Sequence, residues 1–237
     1  MKKILLLHGW NNDNYTSKTK SKDAWHNRRK FVDKLSKKYE VYKLNFPGFC
    51  GEKEPNEKEW TLNDYASFVY DYLFTHNLKV DYIVGYSFGG AVAIRYNRMF
   101  DNKQKLILIS PAIIRNAKKS VSFIKTPKAL NGVRKKLRDW YLVNIVKNEY
   151  MIDGDEFLNN SYQNIVRENL IEEVKDIMPS RLSIIYGAND NMVNPNVAIN
   201  EFDNKFKIIL LDGGHDIANT NTNELVSVIE DLIENRV

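Results

Sequence analysis

Apolar and polar positions follow two rhythms along the chain. Short, nearly continuous apolar runs at 2–7, 39–46, 81–86, 105–110, 182–186 and 206–211 read as strands buried on both faces, because a strand with one wet face alternates instead. Between these runs apolar residues return at helical spacing. Trp25, Phe31, Val32 and Leu35 mark a helix over 24–38; Leu62, Tyr65, Phe68, Val69, Tyr72 and Leu73 mark a second, with Thr61 as its cap. Further helices are expected from residue 88 to about 100, over 195–202 and over 223–233. Polar turn formers fill 11–23, Pro47-Gly48 ends the second strand, and Pro111 stops the fourth. Six strands alternating with helices predict an α/β domain, in which right-handed crossovers put helices on both faces of a mostly parallel sheet.

The alternation lapses between residues 112 and 178, where the sequence is helical in character and highly charged. The expected organisation is therefore a core of 1–111 and 179–237 interrupted by a helical lid at 112–178. Charge sharpens this picture. The formal net charge is +5, but residues 112–150 carry +8 and residues 151–178 carry −5, so the basicity belongs to one segment and does not describe a nucleic-acid-binding surface. Arg115, Lys118, Lys119, Lys125, Lys128, Arg134, Lys135, Lys136 and Arg138 are open to two readings. They form a cationic rim for an anionic partner (an acyl carrier protein, a coenzyme A thioester or an anionic lipid surface), or they pair with the acidic half and solvate a helix face, the commoner fate of charge runs.

The composition, 43% hydrophobic and 27% charged over 237 residues, is that of an ordinary globular domain. No apolar run approaches the roughly 18 residues of a membrane span, and Met1-Lys2-Lys3-Ile4-Leu5-Leu6-Leu7 turns polar at His8, too soon for a secretory signal. A cytoplasmic chain is expected. The single cysteine, Cys50, cannot form an internal disulfide and has no His–acid pair beside it in sequence, so it reads as a bystander. No His/Cys cluster with metal-ligand spacing occurs, and no metal is expected.

The candidate chemistry begins at Gly85-Tyr86-Ser87-Phe88-Gly89, a G-x-S-x-G nucleophile elbow between a strand and a helix of small and apolar residues. Such an elbow exposes the serine hydroxyl on a strained turn, and the N-terminal N–H groups of the following helix suit a developing oxyanion. Two later loops follow strand ends: Tyr186-Gly187-Ala188-Asn189-Asp190 and Asp212-Gly213-Gly214-His215-Asp216. An aspartate in a turn is by itself more often a cap, and a lone loop histidine is more often structural. Ser87, Asp190 and His215 together, in that order and each at a strand's carboxyl end, point to a nucleophile, an orienting acid and a general base. Asp212 and Asp216 compete for the acid role but lie within three residues of His215. His26 and His76 fall in or at the end of helices, and His8 reads as a brace for its own loop.

With these motifs in place the chain resembles the α/β-hydrolase family from Lys2 onward. His8-Gly9-Trp10 is similar to that family's HGx loop, and the resemblance implies an oxyanion hole formed by the backbone N–H groups of Trp10 and Phe88. It also implies strand order 2-1-3-4-5-6, with no β-hairpin before the first strand. His-Gly-Trp, Phe46-Pro47-Gly48-Phe49 and Tyr186-Gly187 with Asp190 are most similar to the esterase branch holding pimeloyl-carrier-protein methyl esterases and carbon–carbon bond hydrolases. Cys50 departs from the Gly or His frequent there. Serine at 87 sets the chain apart from dehalogenases and epoxide hydrolases, which place an aspartate at that point. The implied activity is cofactor-free hydrolysis of a small-molecule carboxylic ester or thioester through an acyl-enzyme. Phe123, Trp140, Tyr141, Leu142 and Phe157 of the lid are then the expected lining of the acyl pocket. Carbon–carbon bond hydrolysis, or ligand binding without turnover on the same fold, are the alternatives.

Overall fold

The computed structural model describes residues 1–101, 103–113, 155–202 and 205–236. Its strands are β1 (Lys3–Leu7), β2 (Glu40–Leu44), β3 (Tyr82–Tyr86), β4 (Lys105–Ile109), β5 (Leu182–Gly187) and β6 (Lys207–Leu211). They form one sheet in the order β2-β1-β3-β4-β5-β6, every neighbouring pair parallel. This is the architecture and strand order expected above.

The period-two rule of a strand divides the interior into two layers. Leu5 and Leu7 of β1, Ile83 of β3 and Leu106 and Leu108 of β4 face one core; Ile4 and Leu6, Val84, and Ile107 and Ile109 face the other. Each buried Leu or Ile contributes about 1.5–3 kcal/mol. On the first layer lie α2 (Leu62–Thr75) and α3 (Phe88–Phe100); on the second lie α1 (Arg29–Leu35), α7 (Ile217–Thr220) and α8 (Thr222–Ile233). The sheet's two edges, β2 and β6, are only partly covered and carry Lys43 and Lys207.

The helix expected over 24–38 is shorter than its apolar spacing suggests. Asp23 Oδ1 captures the Trp25 N–H at 2.9 Å, residues 26–28 form a 3₁₀ turn, and α1 begins only at Arg29. Thr61 does cap α2, its N–H donating to Asp64 Oδ2 at 2.7 Å.

The described part of the expected lid is joined to the core. Here α4 (Glu156–Ile165) and α5 (Ile171–Asp176) bury Leu158, Ile165, Leu170 and Val174 in the first layer. Ser161 Oγ accepts the Trp60 N–H at 2.8 Å, and the Leu170 N–H donates to Ile113 O at 3.0 Å. Arg95 of α3 bonds Glu173 at 2.9 Å and Glu168 at 2.8 Å. Phe123, Trp140, Tyr141, Leu142 and the basic run at 115–138 lie outside the described residues. Among the described residues no helix is long and apolar enough to cross a membrane.

Candidate active site

The sharp turn at Ser87 is built by its neighbours. Its backbone takes φ 51° and ψ −110°, a conformation that non-glycine residues avoid and that the surroundings must enforce. The Ser87 N–H donates to Ile109 O at 2.9 Å, and Ser87 O accepts N–H groups from Gly90 at 3.0 Å and Ala112 at 3.1 Å. The serine is thus pinned between β4 and α3. Glycine is required at 89, where a Cβ would stand 2.1 Å from the Leu7 carbonyl oxygen.

The loops after β5 and β6 bring the other two groups to this turn. His215 Nε2 lies 3.0 Å from Ser87 Oγ, and His215 Nδ1 lies 2.8 Å from Asp190 Oδ2. Asp190 Oδ1 accepts the N–H groups of Met192 and Val193, each at 2.9 Å, so both carboxylate oxygens are occupied. Burial by itself pushes the Asp190 carboxyl up. The bond to His215 and the two N–H donors outweigh it and hold the group below its ordinary value. An ionised Asp190 only accepts, which puts a proton on His215 Nδ1 and leaves Nε2 as the acceptor for the serine hydroxyl. Two backbone bonds, Ala188 N to Leu211 O at 2.8 Å and Asn189 N to Gly213 O at 2.9 Å, lash the acid loop to the histidine loop.

The rival acids are engaged elsewhere or exposed. Asp216 Oδ1 takes Arg28 Nε at 2.7 Å, while Asp212 faces solvent. Arg28 also donates to Tyr86 Oη at 3.3 Å, and Tyr86 Oη reaches His215 O at 3.4 Å. Neither Arg28 nor Tyr86 is marked by sequence: one sits in a polar stretch, the other is a variable position of the elbow motif.

His8-Gly9-Trp10 runs directly against the elbow, since a Cβ on Gly9 would stand 3.4 Å from Ser87 Cβ. His8 Nε2 accepts the Phe46 N–H at 3.0 Å, so its proton is on Nδ1, 2.9 Å from Gly9 O. Burial brings the His8 pKa down to about 4 and keeps the ring neutral. The Trp10 ring meets Phe88 at 5.1 Å, Phe49 at 5.1 Å and Tyr162 of α4 at 5.5 Å, which fixes the loop over the site. The Phe88 N–H heads α3, where a helix has no acceptor of its own. Phe157 is buried with its ring 6.0 Å from that of Trp60, so it packs the core; Tyr162 is the α4 residue that reaches the HGx loop. Burial raises the Cys50 thiol to about 11. Among the described residues no three His, Cys, Asp or Glu side chains gather in a way that could hold a metal ion.

The profile of the alpha/beta hydrolase family matches residues 4–220, and the chain belongs to that family. It is 33% identical over 85 residues to "Putative esterase/lipase 2" of Mycoplasma pneumoniae, a match covering 35% of this chain and 32% of that one. The chain thus aligns with about a third of the curated relative's length. A meta-cleavage product hydrolase from Pseudomonas fluorescens IP01 superimposes with TM-score 0.70 at 16% identity, over 100% of this chain and 92% of the other. An esterase from Exiguobacterium antarcticum superimposes with TM-score 0.65 at 14% identity, over 99% and 92%. At such identities the two structures speak for the fold.

Proposed function

We propose that the chain is a serine hydrolase that cleaves a carboxylic ester or thioester through an acyl-enzyme. The observation that carries this reading is the unbroken line Asp190 Oδ2, His215, Ser87 Oγ, with contacts of 2.8 and 3.0 Å. In the first half-reaction Ser87 Oγ bonds to the acyl carbon while its proton passes to His215 Nε2. The tetrahedral oxyanion is held by the N–H groups of Trp10 and Phe88. His215 then gives its proton to the departing alcohol or thiol as that bond breaks, and Ser87 is left acylated. In the second half, water loses a proton to Nε2, attacks the acyl carbon, and Ser87 leaves as its hydroxyl. Asp190 stabilises the imidazolium formed in each half without taking its proton. These steps draw on no cofactor.

The esterase/lipase relative and the esterase among the structural neighbours favour an ester; the meta-cleavage product hydrolase supports a second reading, the same residues acting on a substrate of that type. The test is covalent. A fluorophosphonate should add one phosphonyl group to wild type and none to Ser87→Ala, and p-nitrophenyl esters of graded chain length should be turned over by wild type alone. Wild type that takes up no label and turns over no ester would instead mark a ligand-binding protein on a hydrolase fold.

A further inference from the structure

Arg28 has no part in the chemistry above, yet its side chain is only 11% exposed. It closes the 3₁₀ turn ahead of α1, and its guanidinium carbon stands 4.5 Å from the centroid of the Tyr86 ring. One nitrogen donates to Asp216 and another to the Tyr86 hydroxyl, which in turn donates to the His215 carbonyl. Tyr86 immediately precedes Ser87, and Asp216 immediately follows His215. A single planar fork therefore grips the residue before the nucleophile and the residue after the base. Exposed ion pairs hold little, because their side chains wander and water screens them. A mostly buried guanidinium with its donors divided between two fixed partners keeps its geometry. Asp216 is fixed at its backbone too, its carbonyl accepting the N–H groups of Asn219 at 3.0 Å and Thr220 at 2.9 Å at the start of α7.

We infer that Arg28 is a positioning residue: through Tyr86 and Asp216 it sets the separation of Ser87 Oγ and His215 Nε2 without touching the substrate. The inference rests on the acyl-enzyme reading, since only proton transfer between those two atoms makes their 3.0 Å separation matter. Without the fork, the histidine loop is still tied to the acid loop by the backbone bonds of Ala188 and Asn189. The elbow then loses its direct tie to that pair of loops on the Tyr86 side.

The experiment compares wild type with Arg28→Gln, Arg28→Lys, Tyr86→Phe, Asp216→Asn and the double variant Arg28→Gln/Asp216→Asn, with Asp212→Asn as control. Each is measured for kcat and KM on a p-nitrophenyl ester, for the rate of Ser87 phosphonylation by a fluorophosphonate, and for Tm. Arg28→Gln should lower kcat and the phosphonylation rate together by about 10–100-fold, the scale of a small misplacement of reacting groups. KM should hold within about twofold, because ground-state binding is untouched. Arg28→Lys should recover part of the loss, restoring the charge but not the fork. Tyr86→Phe keeps the ring and should lose less than Arg28→Gln, and the double variant should be no worse than its poorer parent, as members of one unit behave. Asp212→Asn should match wild type.

Variants that melt earlier but keep wild-type kcat and phosphonylation rate overturn the inference, as do losses that multiply in the double variant. If Arg28→Gln does not fold, Tyr86→Phe and Asp216→Asn are judged by the same criteria. Wild type that is not phosphonylated at Ser87 overturns the acyl-enzyme reading and this inference with it. Labelled wild type beside kinetically unchanged variants overturns the inference alone.

Discussion

His8 Nε2 accepts the Phe46 backbone N–H at 3.0 Å, so one imidazole ties the chain leaving β1 to the chain leaving β2. That bond exists only while Nε2 is unprotonated. Burial lowers the His8 pKa from 6.5 to about 4, so between these values the unfolded chain binds a proton that the folded chain refuses. Its stabilisation is therefore complete above pH 6.5 and is lost as the pH falls towards 4, by about 3 kcal/mol at most. Urea titrations at pH 7 and pH 4.5 should show wild type losing more stability on acidification than His8→Asn, which has no ring to titrate. Parallel losses in the two proteins would remove His8 from the acid response.

Asp190→Asn should lower kcat by about 10⁴, the scale seen when a triad carboxylate becomes an amide and the imidazole takes the wrong tautomer. The N–H groups of Met192 and Val193 demand an acceptor at the Oδ1 position, so the amide's NH₂ must face His215 Nδ1. Two donors then confront each other, the ring proton moves to Nε2, and the serine loses its base. Folding should be nearly unaffected; steady-state kinetics beside a thermal melt check both halves. A variant retaining a tenth of wild-type kcat would mean that another group orients His215.

Gly89→Ala should destabilise the fold by about 3 kcal/mol or more and weaken activity in whatever protein folds. The new Cβ would sit 2.1 Å from the Leu7 carbonyl oxygen, backbone that belongs to the central strand and can yield only by moving the elbow. Denaturant midpoints measure the first effect, and phosphonylation rates the second.

Cys50 is 1% exposed, and burial raises its thiol to about 11, so little thiolate exists near neutral pH. A thiol-reactive disulfide reagent at pH 7.5 should leave the native protein almost unmodified and react with one equivalent in 6 M guanidinium. Rapid native labelling would contradict the bystander reading.

The fold was legible because interior strands of a parallel sheet have two dry faces. β1, β3, β4 and β5 are apolar at nearly every position, and even β2 and β6, with Lys43 and Lys207 towards solvent, keep enough of the pattern to be found. Ser87, Asp190 and His215 were legible because each stands where a strand ends, and chain order alone pairs them. Other features had no local signature. Arg28 and Asp216 are 188 residues apart, and nothing near either one announces the other. The late start of α1 depends on Asp23 taking the Trp25 N–H, a side-chain choice that apolar spacing does not record. Residues 155–178 looked like lid because they are charged. Their charges belong to one face, and Leu158, Leu170 and Val174 bury the other in the same layer as the elbow helix.

A sheet that splits the interior also splits the intrinsic fluorescence. Trp25 lies in one layer, stacked on Phe31 at 5.8 Å, and Trp10 lies in the other, edge-on to Phe88 beside the nucleophile. A molecule settling next to Ser87 alters the surroundings of the Trp10 indole while six strands insulate Trp25 from it. The protein thus carries its own optical probe and its own internal reference on opposite sides of one wall, and single Trp→Phe replacements at 10 and 25 separate the two emissions without any added dye.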